Sequence, residues 1–484
     1  MTETLARARA FERSAEAEIL PEERPAFHLS PRTGWLNDPN GFSRYDGKYH
    51  LFYQYHPYSS MWGNIHWGHA VSSDLLHWEY LPAALAPDEP YDSFGCFSGG
   101  AAKMPDGRQL LMYTGVRLDR PGSEWKSIQT QCIAIGDGLD YYKFDGNPVL
   151  TAEDLPEGAD PSEFRDPNLQ RDGDGYRAIA ANLNRLHGTQ ILQFRSEDGL
   201  HWKYDRILAE NRGRIGEMWE CPDFFELDGT QVLLASAMDM QEETLEFHRG
   251  NNTFCMVGEE QSLQTVDHGP DFYAAQTLLS PDGRRIMIGW MQNPGVAGTV
   301  DRKFFGQMSI PRELDVRGGR LCQRPIRELE DCRSAPVTHS NVRLDAEEQS
   351  LAGIRGRVLD LEFTVKAVDP DRPYREFRCR FAKSGDRFTE LSYRPETQVL
   401  AVDRSASVLG GTTLTRRETR AQAEGGVLQV RMILDRYSVE VFVDQGRTVM
   451  SLTFYTGPEA EEITFSAEGG AWMDVKAFRL CNKE

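Results

Sequence analysis

The sequence has no run approaching the ~18 apolar residues that a bilayer-spanning helix needs. It is also short of positive charge, with 54 Lys and Arg against 74 Asp and Glu and a net charge of −20. Such a surface repels phosphate backbones and anionic lipid, which argues against nucleic acid or a membrane as partner. Its eight cysteines, at 96, 132, 221, 255, 322, 332, 379 and 481, form no CxxC pair and have no His at zinc spacing. They read as reduced, mostly buried thiols, and no metal site is expected. The first 25 residues lack the apolar stretch of a secretion signal and read as a short amphipathic helix, so a cytoplasmic location is expected. Long helical patterns are missing elsewhere too. What is present is a chain of 484 residues, 40% hydrophobic and 10% aromatic. That exceeds the ~250–300 residues of a single core, so at least two domains are expected.

Two internal repeats organise the first two thirds. SSDLLHW (72–78), IGDGLDY (135–141) and SEDGLHW (196–202) place Asp74, Asp137 and Asp198 at intervals of 63 and 61 residues. An Asp-Gly turn followed by a β-like run recurs five times, with its Asp at 46, 106, 174, 228 and 282. Asp-Gly between such runs is a hairpin signal. Five hairpins at a spacing of 54 to 68 residues fit radial repetition of four-stranded sheets, a five-bladed β-propeller over 26–322. A sandwich of that length would instead show turns every ~8–12 residues without the longer period. Residues 323–339 read as a linker with a short helical piece. Period-two runs such as VLDLEFTVKAV (358–368) and YSVEVFV (437–443) then predict a β-sandwich over 340–484. The fold class is all-β.

Stepping back eight residues from each Asp-Gly turn gives Asp38, Ser98, Asp166, Glu220 and Ala274. Equivalent inward positions of successive blades face one funnel, so three acids 128 and 54 residues apart converge there. Each has a Pro close behind, in WLNDPNG, FRDPN and WECPD, which fits strands that begin at the funnel rim. Paired carboxyls without a cofactor are the equipment of glycoside hydrolysis. Calcium is the rival use of such oxygens, but Trp35, Trp62, Trp67, Phe97 and Trp219 nearby suit the apolar faces of a sugar better. From sequence neighbours, Glu220 between Trp219 and Cys221 is the expected proton donor, its carboxyl raised by desolvation. Asp38, with Asn37 and Asn40 as amide donors, is expected to stay ionised as nucleophile, and Asp166 to be held anionic by Arg165.

At these residues the chain resembles glycoside hydrolase family 32, the invertases, sucrose-6-phosphate hydrolases and fructan hydrolases. The motifs occur in order: WLNDPNG (35–41), FYQYHP (52–57), WGNIHWGHAVSSDLLHW (62–78), FSGG (97–100), FRDP (164–167) and WECPD (219–223). The resemblance implies a five-bladed propeller with a C-terminal sandwich and a retaining double displacement on β-fructofuranosides. It assigns Asp38 as nucleophile, Glu220 as general acid/base and Asp166 as transition-state stabiliser. Asn37, Gln54, Trp62, Phe97, Ser98 and Arg165 then line the fructosyl site, with Tyr273 and Trp290 at its rim. A retaining mechanism sets the Asp38 and Glu220 carboxyls roughly 5–5.5 Å apart.

Two positions depart from the family pattern, His56 for a usual Asn and Gly100 for a more frequent Ser. His56 is read as a hydrogen-bonding packed residue, with substrate or phosphate contact as the alternative. His77 and His201 recur with the repeat and read as structural, and Asn251-Asn252-Thr253 as an ordinary loop. The expected activity is hydrolysis of sucrose and short fructo-oligosaccharides, a small-molecule sugar being the partner. Sucrose-6-phosphate hydrolysis and fructosyl transfer are the alternatives; arabinofuranoside cleavage by inversion and a non-catalytic sugar-binding propeller stand further off. The N-terminal segment and linker leave a homodimer open.

Overall fold

The computed structural model describes residues 1–120, 125–291, 302–408 and 414–480. Five antiparallel sheets occupy the first 325 residues. Their innermost strands are Gly34–Tyr45, Gly95–Lys103, Ala159–Asp172, Trp219–Leu227 and Tyr273–Leu279. Each contacts the next, and the fifth contacts the first, so the sheets close into a ring of blades. The ring is fastened by Phe304–Phe305, which leaves blade 5 and pairs parallel with Gly34 and Trp35 of blade 1. All five Asp-Gly turns join the first strand of a blade to the second. Asp74, Asp137 and Asp198 sit between third and fourth strands, where each Oδ1 accepts two backbone N–H groups, such as those of Leu76 and His77. His77 and His201 donate back to those aspartates through Nδ1, a turn-closing role.

Two six-stranded sheets follow. They pack over a core including Leu361, Phe363, Phe381, Met432, Val441 and Phe465. Of the expected linker, 327–332 form a 3-10 turn while 323–325 and 333–339 belong to strands. The sandwich is joined to the ring by buried charge. His28 lies between Asp435 Oδ2 (2.8 Å) and Glu440 Oε1 (2.9 Å). Arg312, fully buried, reaches Glu440, Asp267 and Ser451, and Arg404 pairs with Asp271.

The N-terminal helix, Glu3–Glu16, buries Leu5, Ala8, Arg9 and Glu12, the i, i+3, i+4, i+7 face of an amphipathic helix. That face lies on the outermost strand of blade 1, Trp78–Leu85. Arg9 Nε donates to the Ala83 carbonyl (2.9 Å) and Glu12 Oε1 accepts from the Ala83 N–H (3.0 Å), which satisfies an otherwise open sheet edge. None of the described helices is long and apolar enough to cross a membrane. The seven described cysteines are buried; Cys481 lies outside the described residues. Asn252 sits on the strand Gly250–Val257, buried, and not in the expected loop; its side-chain amide donates to the His248 carbonyl (2.6 Å).

Candidate active site

A β-bulge interrupts the innermost strand of every blade at the position of the eight-residue offset. Register breaks fall between Leu36 and Pro39, Phe97 and Gly99, Glu220 and Asp223, and Tyr273 and Gln276. In blade 3 the break lies between Arg165 and Asn168. Asp38 and Asp166 therefore lie inside strands, not at strand starts, and the prolines behind them sit where a bulge needs no ladder donor. Asp166, Cys221 and Ala274 adopt φ of 60°, 49° and 56°, conformations costly for residues other than glycine, which re-aim side chains out of the pleat. The amides freed by the bulges are used between blades. Asp166 N–H donates to Thr114 Oγ1 (2.9 Å) and Ala274 N–H to Ser236 Oγ (2.8 Å). At blade 4 the freed N–H of Cys221 goes to the Asp166 carboxylate (3.0 Å).

Two of the acids meet at Cys221, the residue after Glu220, whose Sγ lies 3.6 Å from Asp38 Oδ2 and 3.7 Å from Asp166 Oδ2. Burial and the neighbouring carboxylates hold this thiol well above its ordinary pKa, so it stays a donor. Asp38 accepts from Ser98 Oγ (2.7 Å), Gln54 Nε2 (3.1 Å) and Asn37 Nδ2 (3.1 Å). Gln54 is fixed in turn by Asn37 (2.9 Å) and Ser98 (2.5 Å), and Asn37 by the Trp35 indole (2.8 Å). Asn40, the other expected donor, faces away and accepts from Gly99 N–H. Burial, then the charge of Glu220, push Asp38 up to about 6 against these hydrogen bonds, so it is less acidic than its amide neighbours suggested.

Glu220 does not sit among apolar groups. Trp219 turns into the core against Phe254, while Arg165 Nε (2.9 Å) and the Tyr273 hydroxyl (2.7 Å) donate to the two carboxylate oxygens of Glu220. Arg165 is spent on Glu220 and Glu163 rather than on Asp166. Burial and the Glu220 charge outweigh it and push Asp166 up to about 7, contrary to the expected anion.

Of the aromatics, Trp35, Trp67 and Trp219 are buried and serve as supports; Trp67 donates to the Phe97 carbonyl (3.0 Å). Trp62, 45% exposed, meets Phe97 edge-on at 5.9 Å, with Phe94 completing an apolar wall. Tyr273 is in contact with Glu220 and is no rim residue. Trp290 is buried, edge-on to Trp35 at 5.9 Å. His56 Nδ1 bonds the Met61 carbonyl (2.9 Å) at a partly exposed position. Gly100 has a steric cause, because a Cβ there would stand 2.5 Å from the Leu169 amide nitrogen of blade 3.

Models of the Glycosyl hydrolases family 32 N-terminal domain and the Glycosyl hydrolases family 32 C terminal match residues 28–325 and 328–480. The chain belongs to glycoside hydrolase family 32. It is 33% identical over 467 residues to the sucrose-6-phosphate hydrolase of Escherichia coli, and 35% over 468 to that organism's raffinose invertase, with 92% of each chain covered in both cases. Among solved structures, Bombyx mori GH32 beta-fructofuranosidase BmSUC1 superposes with a TM-score of 0.83 at 30% identity, covering 98% of each chain. A mutant of that protein in complex with sucrose gives 0.84. This family 32 chain also uses residues the sequence reading passed over. Thr114 accepts the Asp166 N–H, Ser236 pairs with Glu220 across the blade and Glu163 holds Arg165, none with a local signal, while Cys221, in the sequence only an apolar neighbour of Glu220, donates to Asp38 and Asp166.

Proposed function

We propose that this family 32 hydrolase is a β-fructofuranosidase that removes terminal fructosyl units from sucrose and short fructo-oligosaccharides with retention of configuration. The observation that carries it is the meeting of the Asp38 and Asp166 carboxyls at the Cys221 thiol, with the Glu220 charge acting on both, beside a partly exposed aromatic wall. Asp38 attacks the anomeric carbon of fructose as the bond to the leaving oxygen breaks, and Glu220 gives that oxygen its proton. Water, deprotonated by Glu220, then cleaves the fructosyl ester of Asp38. Asp166 meets the fructosyl hydroxyls, and a carboxyl raised to about 7 serves them near neutrality as donor or acceptor. Asn37, Gln54 and Ser98 hold Asp38, Arg165 and Tyr273 hold Glu220, and Trp62 and Phe97 cover the sugar. Catalysis belongs to the propeller, which ends at Pro325, and the sandwich that begins at Arg333 supports it.

Neutral sugars are favoured over sucrose 6-phosphate because the cation in contact with the acids, Arg165, donates from Nε and Nη1 to Glu220 and Glu163 and from Nη2 to the Met238 sulfur (3.7 Å). The phosphorylated sugar is the second reading, favoured by the name of the Escherichia coli relative. Initial fructose release from sucrose, sucrose 6-phosphate and 1-kestose, with Asp38→Asn as blank, decides between them. Faster turnover of the phosphorylated sugar would overturn the neutral-sugar reading. With sucrose, the wild-type protein should release fructose first as the β anomer, read by NMR before mutarotation; first release as the α anomer would sink retention.

A further inference from the structure

Buried guanidinium groups in this acidic chain are commonly met by carboxylates, as Arg312, Arg404 and Arg165 are. Arg357 is not. It is 6% exposed, and its Nη1 donates to Thr456 Oγ1 (3.0 Å), the Gly457 carbonyl (3.0 Å) and the Ala460 carbonyl (3.2 Å). Its Nη2 reaches the Arg436 carbonyl. The buried Nε has no hydrogen-bond partner among the described residues. Neutral groups and the Phe454 ring (4.8 Å) make its contacts, and although the charges of Glu459 and Asp435 act on it from further off, burial lowers its pKa to about 10. A buried cation with no carboxylate in contact is an expensive arrangement that a bound anion would relieve.

Arg357 lines a cleft of about 390 Å³ where the sandwich meets the N-terminal segment. Arg355, Arg436 and Arg479 line it as well, against two acids, Glu22 and Glu461. Arg355 is engaged with Glu461 (2.9 Å). Arg436 donates through Nη1 to the carbonyls of Pro21 and Arg24 and so ties the N-terminal segment to the cleft wall. Arg479 is exposed on the last strand. The cleft shares no residue with the three-acid site. Its volume falls within the roughly 300–1,000 Å³ of small-molecule sites, and planar guanidinium groups pair with phosphate oxygens two at a time.

The geometry points to a phosphate-binding cleft at the junction of the sandwich and the N-terminal segment, with Arg357 as its buried counter-charge and Arg479 and Arg436 at its mouth. Two sources supply such a group, inorganic phosphate and a small sugar phosphate. Both are tested on the full chain by titration calorimetry and thermal melting with inorganic phosphate, with glucose 6-phosphate, and with sodium chloride at matched ionic strength. Binding of N but not U raises the melting temperature with ligand concentration, so phosphate or its ester should raise it where chloride does not. Tighter binding of glucose 6-phosphate would identify the ester as the ligand, and equal or weaker binding the free ion. Arg479→Glu, at an exposed position, should weaken either ligand at least tenfold while fructose release from sucrose stays at the wild-type rate. The proposal is overturned if neither phosphate species exceeds chloride, or if Arg479→Glu binds them as the wild type does.

Discussion

Asp38 stands where two demands conflict: a nucleophile must be ionised, yet burial beside Glu220 favours its proton. Its pKa of about 6 sets the outcome, and kcat/KM should fall as pH drops through about 6 because the attacking form is lost. Ser98 donates to the ionised carboxylate (2.7 Å). A hydrogen bond to a charged group contributes about 1.5–3 kcal/mol, so Ser98→Ala should move that acid limb upward by about one pH unit or more. An unmoved limb in a pH profile would show that another group sets it. The same residues mark the limits of reading chemistry from sequence neighbours. Asn37 beside Asp38 does donate to it, but Arg165 beside Asp166 serves Glu220, and Trp219 beside Glu220 faces the core. Consecutive strand residues point to opposite faces, and only a bulge puts two of them on one side.

The bulge is the element that makes five sheets into one site. Its position was legible as the eight-residue offset from the Asp-Gly turns, which placed Asp38, Ser98, Asp166, Glu220 and Ala274 in one ring. Its form was not, because Asp166, Cys221 and Ala274 take left-handed conformations without the glycine that would announce them. Gly100 does announce a close approach, to the Leu169 backbone. Gly100→Ser should therefore cost about 1–3 kcal/mol, as overpacking does, read as a lower melting temperature. A Ser variant as stable as the wild type would mean that blades 2 and 3 part without strain. The N-terminal helix was legible from its charged, Ala-rich composition, but its docking site on the edge of blade 1 was not. Replacing both Arg9 and Glu12 by Ala leaves the Ala83 backbone unpaired and that edge open. Light scattering on heating should then begin at a lower temperature, with kcat for sucrose unchanged, because exposed edges pair between molecules.

At the scale of the molecule, ring and sandwich are welded by charges that look like ordinary surface residues in the sequence. His28 and Asp435 are 407 residues apart, and no local pattern links them. Burial opposes a charge on His28, yet Asp435 and Glu440 outweigh it and push its pKa up to about 9. Its value in the unfolded chain is about 6.5, so its contribution to stability is complete below about pH 6.5 and is lost as pH rises through about 9. Melting temperature should decline across that interval in the wild type; a flat profile there would show that His28 is neutral in the fold. The same seam has a consequence in time. Asp435 receives the N–H groups of Ala26, Phe27 and His28, the first of them 409 residues earlier in the chain. At about 5–20 residues per second of synthesis, the start of the chain leaves the ribosome roughly 20–80 s before the residue that fastens it is made. Blade 1 and its nucleophile must wait through that interval without aggregating, and the seam that fastens them can close only near the end of translation.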